Sequence, residues 1–375
     1  MSHSTIARAA APEILSLDDV GNLGALRAEW NDLAARVPGS SYFQTGDWVI
    51  AWWVTVAARA ATRVACWRDG DGRLRALAAV SNGHEFLHRR LGLRVPVLRI
   101  AGTGPGDADH CGALAPPELR DDVAAWLASV TGHNTLVMSG GASNAAIAAR
   151  LPGARRAASV TCPRLDLEPL GPSHAARSAN FRSQLGRYAR RLARAGVEFA
   201  WMPPGQVDGS MLDAAYQLHR ELRRARGLAT SLSDAHRRLL LRCAGYGTRD
   251  RGVAAMVAWR HTSVVGALVG FWVDGSFAAY QSGWDPAYAN DSVGSVLVSQ
   301  AIEHARAAGA HSFDFLRGNE SYKYRFGARD AFDETYVIPH GWTGSLLRLR
   351  AAWRAQAGAE ATDEAKRSPS FAASA

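Results

Sequence analysis

The sequence predicts an α/β fold with a mixed sheet in each of two similar lobes. The first observation is a repeated order of elements: strands in a hairpin or meander, then a helix ended by glycine, then a buried strand. The second is the length of 375 residues, which suffices for two ordinary domains. The third is the composition, with 47% hydrophobic and 21% charged residues, which is unlike that of a disordered or fibrous chain.

The first half contains the pattern once. Apolar spacings of three and four predict an opening helix through Leu23, Leu26, Trp30 and Leu33. Thr45 or Asp47 can cap a second helix that carries three tryptophans, Trp48, Trp52 and Trp53. Segments 63–68 and 73–81 flank Asp-Gly-Asp-Gly, which predicts a hairpin. A strand at VPVLRIAG, the helix ELRDDVAAWLASV ended by Gly132, and a buried strand at 134–139 complete the half.

The second half repeats the order with almost no residue identity. VAAMVAWRH, SVVGALVGFWVDG and SFAAYQSGW predict an antiparallel meander with turns at 260–263 and 274–275. SVLVSQAIEHARAAG predicts a helix ended by Gly309, and HSFDFLRG predicts the strand after it. We therefore expect lobes at 13–170 and 171–345 joined near 168–178, followed by a disordered tail at 346–375 with few large apolar residues.

Charge and cysteine usage limit the class of protein. The net charge is +9, and 41 of the 43 basic residues are arginine, with lysine only at Lys323 and Lys366. A basic balance favours anionic partners such as the phosphates of a cofactor, nucleic acid or acidic lipid, although an arginine-rich solvated surface explains it equally well. The four cysteines are scattered without a CxxC pair, and no apolar stretch is long enough to cross a membrane. These features predict a soluble cytoplasmic protein without a transmembrane segment.

One motif matches the zinc-protease signature H-E-x-x-H at His84–His88. The chemistry of that signature requires a helix, which places both imidazoles on one face with the glutamate beside them. Here Asn82-Gly83 and Gly92 leave barely two helical turns. We expect a solvated turn or strand end, no metal site, and a zinc hydrolase only as a remote alternative.

The segment 177–195, RSANFRSQLGRYARRLARA, predicts a basic amphipathic helix. Its apolar stripe consists of Phe181, Leu185, Tyr188 and Leu192. Six arginines without an acid cover the remainder: Arg177, Arg182, Arg187, Arg190, Arg191 and Arg194. Because nothing local neutralises these cations, the helix favours an anion-facing role over a purely solvated face.

The residues from Tyr280 to Phe326 hold most of the candidate chemistry. Asp291 or Ser292 can cap a helix whose first turn contains Gly294, and exposed amides at such a helix start can cradle a phosphate. Asp314 interrupts a buried apolar strand, and Arg317, Glu320, Tyr322 and Lys323 follow it closely. Asp314 and Arg317 could equally form a structural buried ion pair.

The pattern GWDPAY…DSVG…FDFLRG.E.YKYRFG resembles the C-terminal signature of cellulose-biosynthesis acyltransferases of the CelD/BcsL type. That family belongs to the GNAT superfamily and is similar to the Fem-type aminoacyltransferases. The likeness extends to YFQTGDWVIAWW, to the basic helix and to LHRELRRARG, and it covers most of residues 25–338. It implies tandem GNAT-like lobes, in agreement with the α/β duplication.

The resemblance implies acyl transfer from acyl-CoA to an amine or hydroxyl by direct attack, without metal. It implies that a small molecule or saccharide is the acceptor. Residues 292–296 (Ser292, Val293, Gly294, Ser295 and Val296) would hold the donor pyrophosphate, and the donor arm would lie between splayed strands near 279–283 and 312–316.

The residues after the last strand then acquire expected roles. Asp314 or Glu320 would accept a proton, Lys323 would stabilise developing negative charge, and Tyr280 or Tyr322 would return a proton to the thiolate. The substrate would be bound by Arg317, Asp285 and His219.

Two alternatives remain open. Fem-type relatives use aminoacyl-tRNA and carry a basic residue after the corresponding strand, a position that Lys323 matches. The second alternative is a non-catalytic anion-binding module that keeps the fold.

Overall fold

The computed structural model describes residues 11–88, 91–104, 108–167, 177–228 and 232–347. Most of the expected join at 168–178 and nearly all of the expected tail at 346–375 lie outside these residues. Residues 341–347 form a helix, and its Leu346 and Leu347 pack against Val95, Val97 and Val137 of the first sheet.

The strands of the described residues fall into a first and a second group along the chain. The first group is β1 (Glu13–Ser16), β2 (Thr62–Arg68), β3 (Leu74–His88), β4 (Leu93–Ile100), β5 (Leu136–Gly140), β6 (Arg155–Thr161) and β7 (Arg164–Asp166). The second group is β8 (Val197–Met202), β9 (Arg251–Arg260), β10 (Ser263–Val273), β11 (Ser276–Trp284), β12 (Ser312–Asp314) and β13 (Phe332–Ile338).

The α-helices lie between these strands. They are α1 (Leu23–Arg36), α2 (Gly46–Thr55), α3 (Arg120–Thr131), α4 (Ala142–Ala148), α5 (Ala179–Arg194), α6 (Gly209–Ala225), α7 (Asp234–Gly245), α8 (Val293–Ala307) and α9 (Ser321–Arg325). Short 3-10 helices form at Tyr42–Gln44, Pro117–Leu119 and Pro286–Asp291. No helix among the described residues has both the length and the apolar character that a membrane span requires.

The expected mixed α/β fold is confirmed, with two sheets that both contain parallel and antiparallel neighbours. The first sheet has the order β1-β2-β3-β4-β5-β13-β6, and the second has the order β7-β12-β11-β10-β9-β8. The expected repeat is also present. In the first half α3 connects the parallel strands β4 and β5, and in the second half α8 connects the parallel strands β11 and β12.

The two sheets exchange strands. β13, near the C-terminal end of the described residues, lies between β5 and β6 of the first sheet and runs antiparallel to both. In return, β7 pairs with β12 at the edge of the second sheet. The division at 170/171 remains a prediction, and each of its two segments lends one strand to the sheet of the other.

Buried aromatic residues hold the halves together. Tyr42 of the first half stacks on Phe271 of β10 with ring centroids 4.4 Å apart, and Phe43 and Trp48 contact the same ring edge to face. Fully buried Asp47 of α2 pairs with Arg251 of β9 at 2.9 Å. Because these contacts combine large apolar area with a satisfied buried charge, they fix one half against the other.

The H-E-x-x-H motif lies on a strand, as the alternative of a strand end predicted. His84, Glu85, Phe86 and His88 all belong to β3 and face β4 across the ladder. His84 and His88 are four positions apart on the strand, which separates them by about 13 Å along the chain. Glu85 pairs with Arg99 instead of standing between the imidazoles. The arrangement of a zinc protease is therefore not formed.

Candidate active site

Strand β11 extends beyond its parallel neighbour β12. The expectation of strands that separate near 279–283 requires such a difference in length. The parallel pairing of β11 and β12 covers Ser276–Ala278 and ends at the pair Ala278–Asp314, whereas β11 continues to Trp284. A register shift against β10 at Val269/Gly270 leaves Tyr280 as an extra residue, which is a β-bulge. Beyond Ala278 the edge of β11 is therefore no longer covered by β12, and such an uncovered edge is a position where an extended ligand can bind.

Helix α8 begins beside this edge. Its N-cap Ser292 has a left-handed backbone (φ 49°, ψ 41°) and makes no side-chain cap, in contrast to the cap expected from Asp291 or Ser292. Ser295 and Val296 donate their amides to the Ser292 carbonyl, and the side chains of Val293 and Val296 are buried in the core. Helix geometry leaves the amides of Val293 and Gly294, which precede these bonds, without intrahelical acceptors, so these two amides remain available to an anion.

Gly294 makes room for a protein side chain. A Cβ atom at Gly294 would lie 2.9 Å from the ring of Trp284. The ring of Trp284 in turn lies under the guanidinium of Arg226, at 5.1 Å. The packing of Trp284, the last residue of β11, against α8 therefore accounts for this glycine, and close approach of a phosphate remains a prediction.

The basic helix α5 lies next to the start of α8. Arg191 pairs with Asp291 at 2.8 Å. Tyr188 hydrogen-bonds to Ser292, and this bond, with a further one to Arg187, lowers the pKa of Tyr188. One of the six expected surface cations has another role, because Arg177 is buried against Ser299 and Glu303. Arg187 and Arg191 place positive charge beside the candidate phosphate cradle.

Asp314, at the end of β12, meets a histidine from the other half of the chain. Nε2 of His110 lies 3.0 Å from Oδ2 of Asp314, and Nδ1 of the same ring lies 2.6 Å from Oδ1 of Asp333 on β13. Burial lowers the pKa of His110, but hydrogen bonds and attraction from both aspartates outweigh it and raise the pKa well above its usual value. A protonated imidazole between two carboxylates therefore joins both sheets.

Arg317 contacts the same loop of the first half. It does not pair with Asp314, as the structural alternative supposed, but with Asp109, at 2.8 Å from Nη2 and 2.9 Å from Nε. The backbone amide of Arg317 donates to the other oxygen of Asp109 at 3.0 Å. Asp109 and His110 thus hold the loop that follows β12 by two adjacent contacts.

Lys323 is buried with 2% of its surface exposed, and its ammonium is saturated. Nζ donates to the carbonyls of Leu316, Arg317 and Gly318 at 3.0–3.1 Å, and it lies 2.9 Å from Oε2 of Glu320. These bonds stabilise a loop in which Leu316 and Gly318 have positive φ values of 55° and 114°. The geometry gives Lys323 and Glu320 a positioning role.

The two expected tyrosines occupy different surroundings. Tyr280 faces the first half, with its ring 5.2 Å from Phe271 and 6.0 Å from both Phe43 and Trp48. Tyr322 is 40% exposed and contacts Phe315 edge to face. Partial burial, with the negative charge of Glu320, raises the pKa of Tyr322 to about 12.

The expected substrate residues Asp285 and His219 lie at the end of β11. Asp285 caps the 3-10 helix Pro286–Asp291 by accepting from the amide of Ala287 at 2.9 Å. His219 of α6 is 7% exposed, and its Nδ1 lies 3.0 Å from the carbonyl of Ser282. The candidate site is therefore the open end of β11, bordered by α8, α6 and the loop from Asp314 to Lys323.

Sequence reasoning missed three residues of this region: Asp109, His110 and Asp333. The only local signal was a pair of polar residues in DADHCGA after a glycine-rich loop. Among the described residues, His110, Cys162 and Asp333 are also a group whose potential metal-ligating atoms lie within 4.8 Å of one another. A cavity of about 780 Å³ opens elsewhere, on the first sheet, and no predicted site residue lines it.

Comparison with known proteins supports the fold. Residues 179–324 match the family profile described as an acetyltransferase (GNAT) domain. Over 82% of this chain and 95% of the other, the structure is similar to a crystal structure of FemX, at 9% identity and a TM-score of 0.59.

Two further structures are similar at the same level. The C-terminal domain of a putative lysylphosphatidylglycerol synthetase from Agrobacterium fabrum has 12% identity over 88% of this chain and 96% of that one, with a TM-score of 0.53. A conserved protein of unknown function from Bacteroides thetaiotaomicron has 14% identity over 84% and 96%, with a TM-score of 0.52. No curated protein sequence matches the chain significantly.

Proposed function

We propose that the chain is a GNAT-fold acyltransferase whose transfer site lies in the second half, with acyl-CoA as donor and a small-molecule or saccharide amine or hydroxyl as acceptor. The observation that carries the proposal is the end of the β11–β12 pairing at Ala278–Asp314, directly beside the start of α8. This opening lies within residues 179–324, the part that matches the acetyltransferase (GNAT) domain.

The binding of a thioester donor follows from elementary interactions. The edge of β11 beyond Ala278, which β12 does not cover, would accept an extended arm in the manner of an added strand. The free amides at the start of α8 and the nearby cations Arg187 and Arg191 would bind a pyrophosphate. The first turn of α8 contains no acidic residue to oppose it.

Direct attack is favoured over a covalent cysteine intermediate. All four cysteines are buried and free, and burial raises the pKa of Cys66 and Cys111 to about 12. Burial also raises the pKa of Cys162 and Cys243. Since the thiolate is the nucleophilic form, none of these thiols is suited to accept the acyl group.

We assign supporting roles to the loop from Asp314 to Lys323. Asp314 and Arg317 are held by His110 and Asp109, and Lys323 binds the carbonyls between them. The loop would thus form a fixed wall at the end of β12, against which the acceptor is oriented. The CelD/BcsL type of the enzyme and the cytoplasmic location remain predictions.

An aminoacyl-tRNA donor is the second candidate, and the observation that favours it is the basic helix α5. Arg182, Arg187, Arg190 and Arg194 have no acid on their own helix, and the net charge of the chain is +9. A tRNA contact through this helix would engage several phosphates, so its affinity would fall steeply with salt.

A binding experiment separates the two donors. We expect acetyl-CoA to bind the wild type in calorimetry, with weak salt dependence, and the double variant Arg187→Gln/Arg191→Gln to lose about tenfold in affinity through lost phosphate contacts. The control is Arg155→Gln/Arg249→Gln, which removes two exposed cations outside α5 and α8. Binding of tRNA with a steep salt slope that the triple variant Arg187→Gln/Arg190→Gln/Arg191→Gln flattens, without binding of acetyl-CoA, would favour the aminoacyl donor.

A further inference from the structure

His219 is fixed where α6 crosses the open end of β11. A Cβ atom at Gly283 would lie 2.3 Å from the backbone nitrogen of His219, so the two backbones are in direct contact at this glycine. The imidazole is 7% exposed and extends along the strand to the Ser282 carbonyl. Helix and strand together leave the ring little freedom.

The hydrogen bond to Ser282 determines the tautomer of His219. A carbonyl oxygen can only accept, so Nδ1, at 3.0 Å, carries the proton. Nε2 is then the unprotonated nitrogen with a free lone pair. It is buried and has no hydrogen-bond partner among the described residues. An unmet acceptor in a protein interior is uncommon, and a catalytic role is one physical explanation for it.

The surroundings keep this imidazole neutral. Burial lowers the pKa of His219, the Ser282 hydrogen bond opposes that effect in part, and the positive charge of Arg223 lowers the pKa further. The adjacent strands, 263–273 and 276–284, contain no charged residue. On the elements that pack against α6, Arg237 of α7 is paired with Asp213, and Asp291 of the 3-10 helix is paired with Arg191.

The other candidate proton acceptors are engaged. Oδ1 of Asp314 accepts from the amide of Leu316 at 2.7 Å, and Oδ2 faces His110. Glu320 is bound to Lys323. His219, by contrast, adjoins the part of β11 that no longer pairs with β12, which is where the proposed donor arm would lie.

We propose that His219 is a catalytic residue, with Nε2 as the acceptor of the proton that the nucleophile releases during acyl transfer. This inference rests on the proposed function. The nucleophile's lone pair forms the new bond to the acyl carbon, and the C–S bond breaks with its electron pair on sulfur. The proton of the nucleophile passes to Nε2 and is then available to the thiolate, so the ring returns to its neutral state.

The decisive variant is His219→Asn, because the Asn amide can still donate to Ser282 but cannot take up a proton. The matched control is His84→Asn, an exposed histidine of β3. Thiol release from acetyl-CoA would be followed with a panel of small primary amines and with glucosamine. We expect kcat to fall by about 100-fold or more, with the KM for acetyl-CoA and the thermal midpoint unchanged. The acidic limb of the wild-type pH profile should disappear.

A spectroscopic measurement tests the residue independently of turnover. Nitrogen NMR of histidine-labelled protein should show His219 with a proton on Nδ1 only, and neutral at pH 7. A proton on Nε2, a charged ring at pH 7, or full activity of His219→Asn with an unchanged pH profile would each overturn the inference. None of these results would affect the proposed function. If the wild type neither binds nor consumes acetyl-CoA, the proposed function fails, and the inference that rests on it fails too.

Discussion

Helices α3 and α8 occupy equivalent places in the two halves, each between a pair of parallel strands, yet their first turns differ in charge. The first turn of α3 contains Asp121 and Asp122, and Asp121 is further bound by Arg150. The first turn of α8 contains no acid and starts from a left-handed serine. Acids at a helix start satisfy its dipole internally and repel an anion. The first half therefore fills this position with its own acids, whereas in the proposed function the second half binds the donor phosphate there.

The halves also differ in the loops that follow β4 and β12, one strand of each parallel pair. After β4 the first half sends out the loop with Asp109 and His110, which support the second half through Arg317 and Asp314. The loop after β12 is fixed from within by Lys323 and from the first half by Asp109. The same order of elements thus occurs twice, and the two copies differ in a few charged side chains around the proposed site.

The largest expected effect is a loss of stability when His110, which connects the first half to Asp314, is removed. His110→Ala leaves Asp314 and Asp333 buried without their common cation, and we expect a loss of about 3–5 kcal/mol in the free energy of unfolding. Urea denaturation measures it. The control His84→Ala should change stability by less than about 0.5 kcal/mol. A loss below about 1 kcal/mol would mean that the histidine does not join the halves.

The same variant has a predicted pH dependence. The folded-state pKa of His110 is raised above the ordinary value of 6.5, so its charged form stabilises the fold fully below pH 6.5. That contribution is lost as pH rises through the raised pKa. The stability difference between wild type and His110→Ala should therefore shrink from pH 6.5 toward alkaline pH, as measured by urea midpoints. A difference that grows with pH would contradict the assigned protonation.

A smaller effect is expected within the site itself. Lys323→Met keeps the buried stem but leaves the carbonyls of Leu316, Arg317 and Gly318 without their donor, at a cost of about 3 kcal/mol. Lys323→Arg should not restore stability, because a planar fork cannot converge on three carbonyls as an ammonium does. Thermal unfolding of both variants tests this, and a fully stable arginine variant would refute the positioning role.

The smallest effect tests the helix comparison directly. Ser295→Asp gives α8 the acidic first turn that α3 has, so it should stabilise the helix by about 0.5 kcal/mol while weakening acetyl-CoA binding about tenfold. The reciprocal variant Asp121→Ser/Asp122→Ser should leave that affinity unchanged. Calorimetry on both proteins decides; equal affinities in all three proteins would place the donor elsewhere.

Most helices and strands within one half were predictable, because their signals are local. Apolar spacing predicted α5, and the turns at 260–263 and 274–275 predicted the meander that forms β9, β10 and β11. β12 is shorter than predicted, because Leu316 adopts a positive φ and turns the chain away.

The sequence predicted several residues of the candidate site but not the partners that they contact. Asp314, Lys323 and His219 were singled out, but their partners His110, the loop carbonyls and Ser282 were not. Contacts between distant segments leave no periodic pattern. Gly294 shows the limit well, since a glycine that admits a phosphate and one that admits Trp284 look identical in sequence.

The exchange of β7 and β13 has a consequence for biosynthesis. β5 and β6 are synthesised early, but their common neighbour β13 (Phe332–Ile338) leaves the ribosome only after both halves have been made. Until then the first sheet carries two unpaired edges, which are templates for association with other chains. The exposed edges of β5 and β6 in a nascent chain must therefore be kept from pairing with other chains until β13 has been synthesised. Messages truncated ahead of Phe332 would yield chains that aggregate, even though every predicted site residue is already present in them.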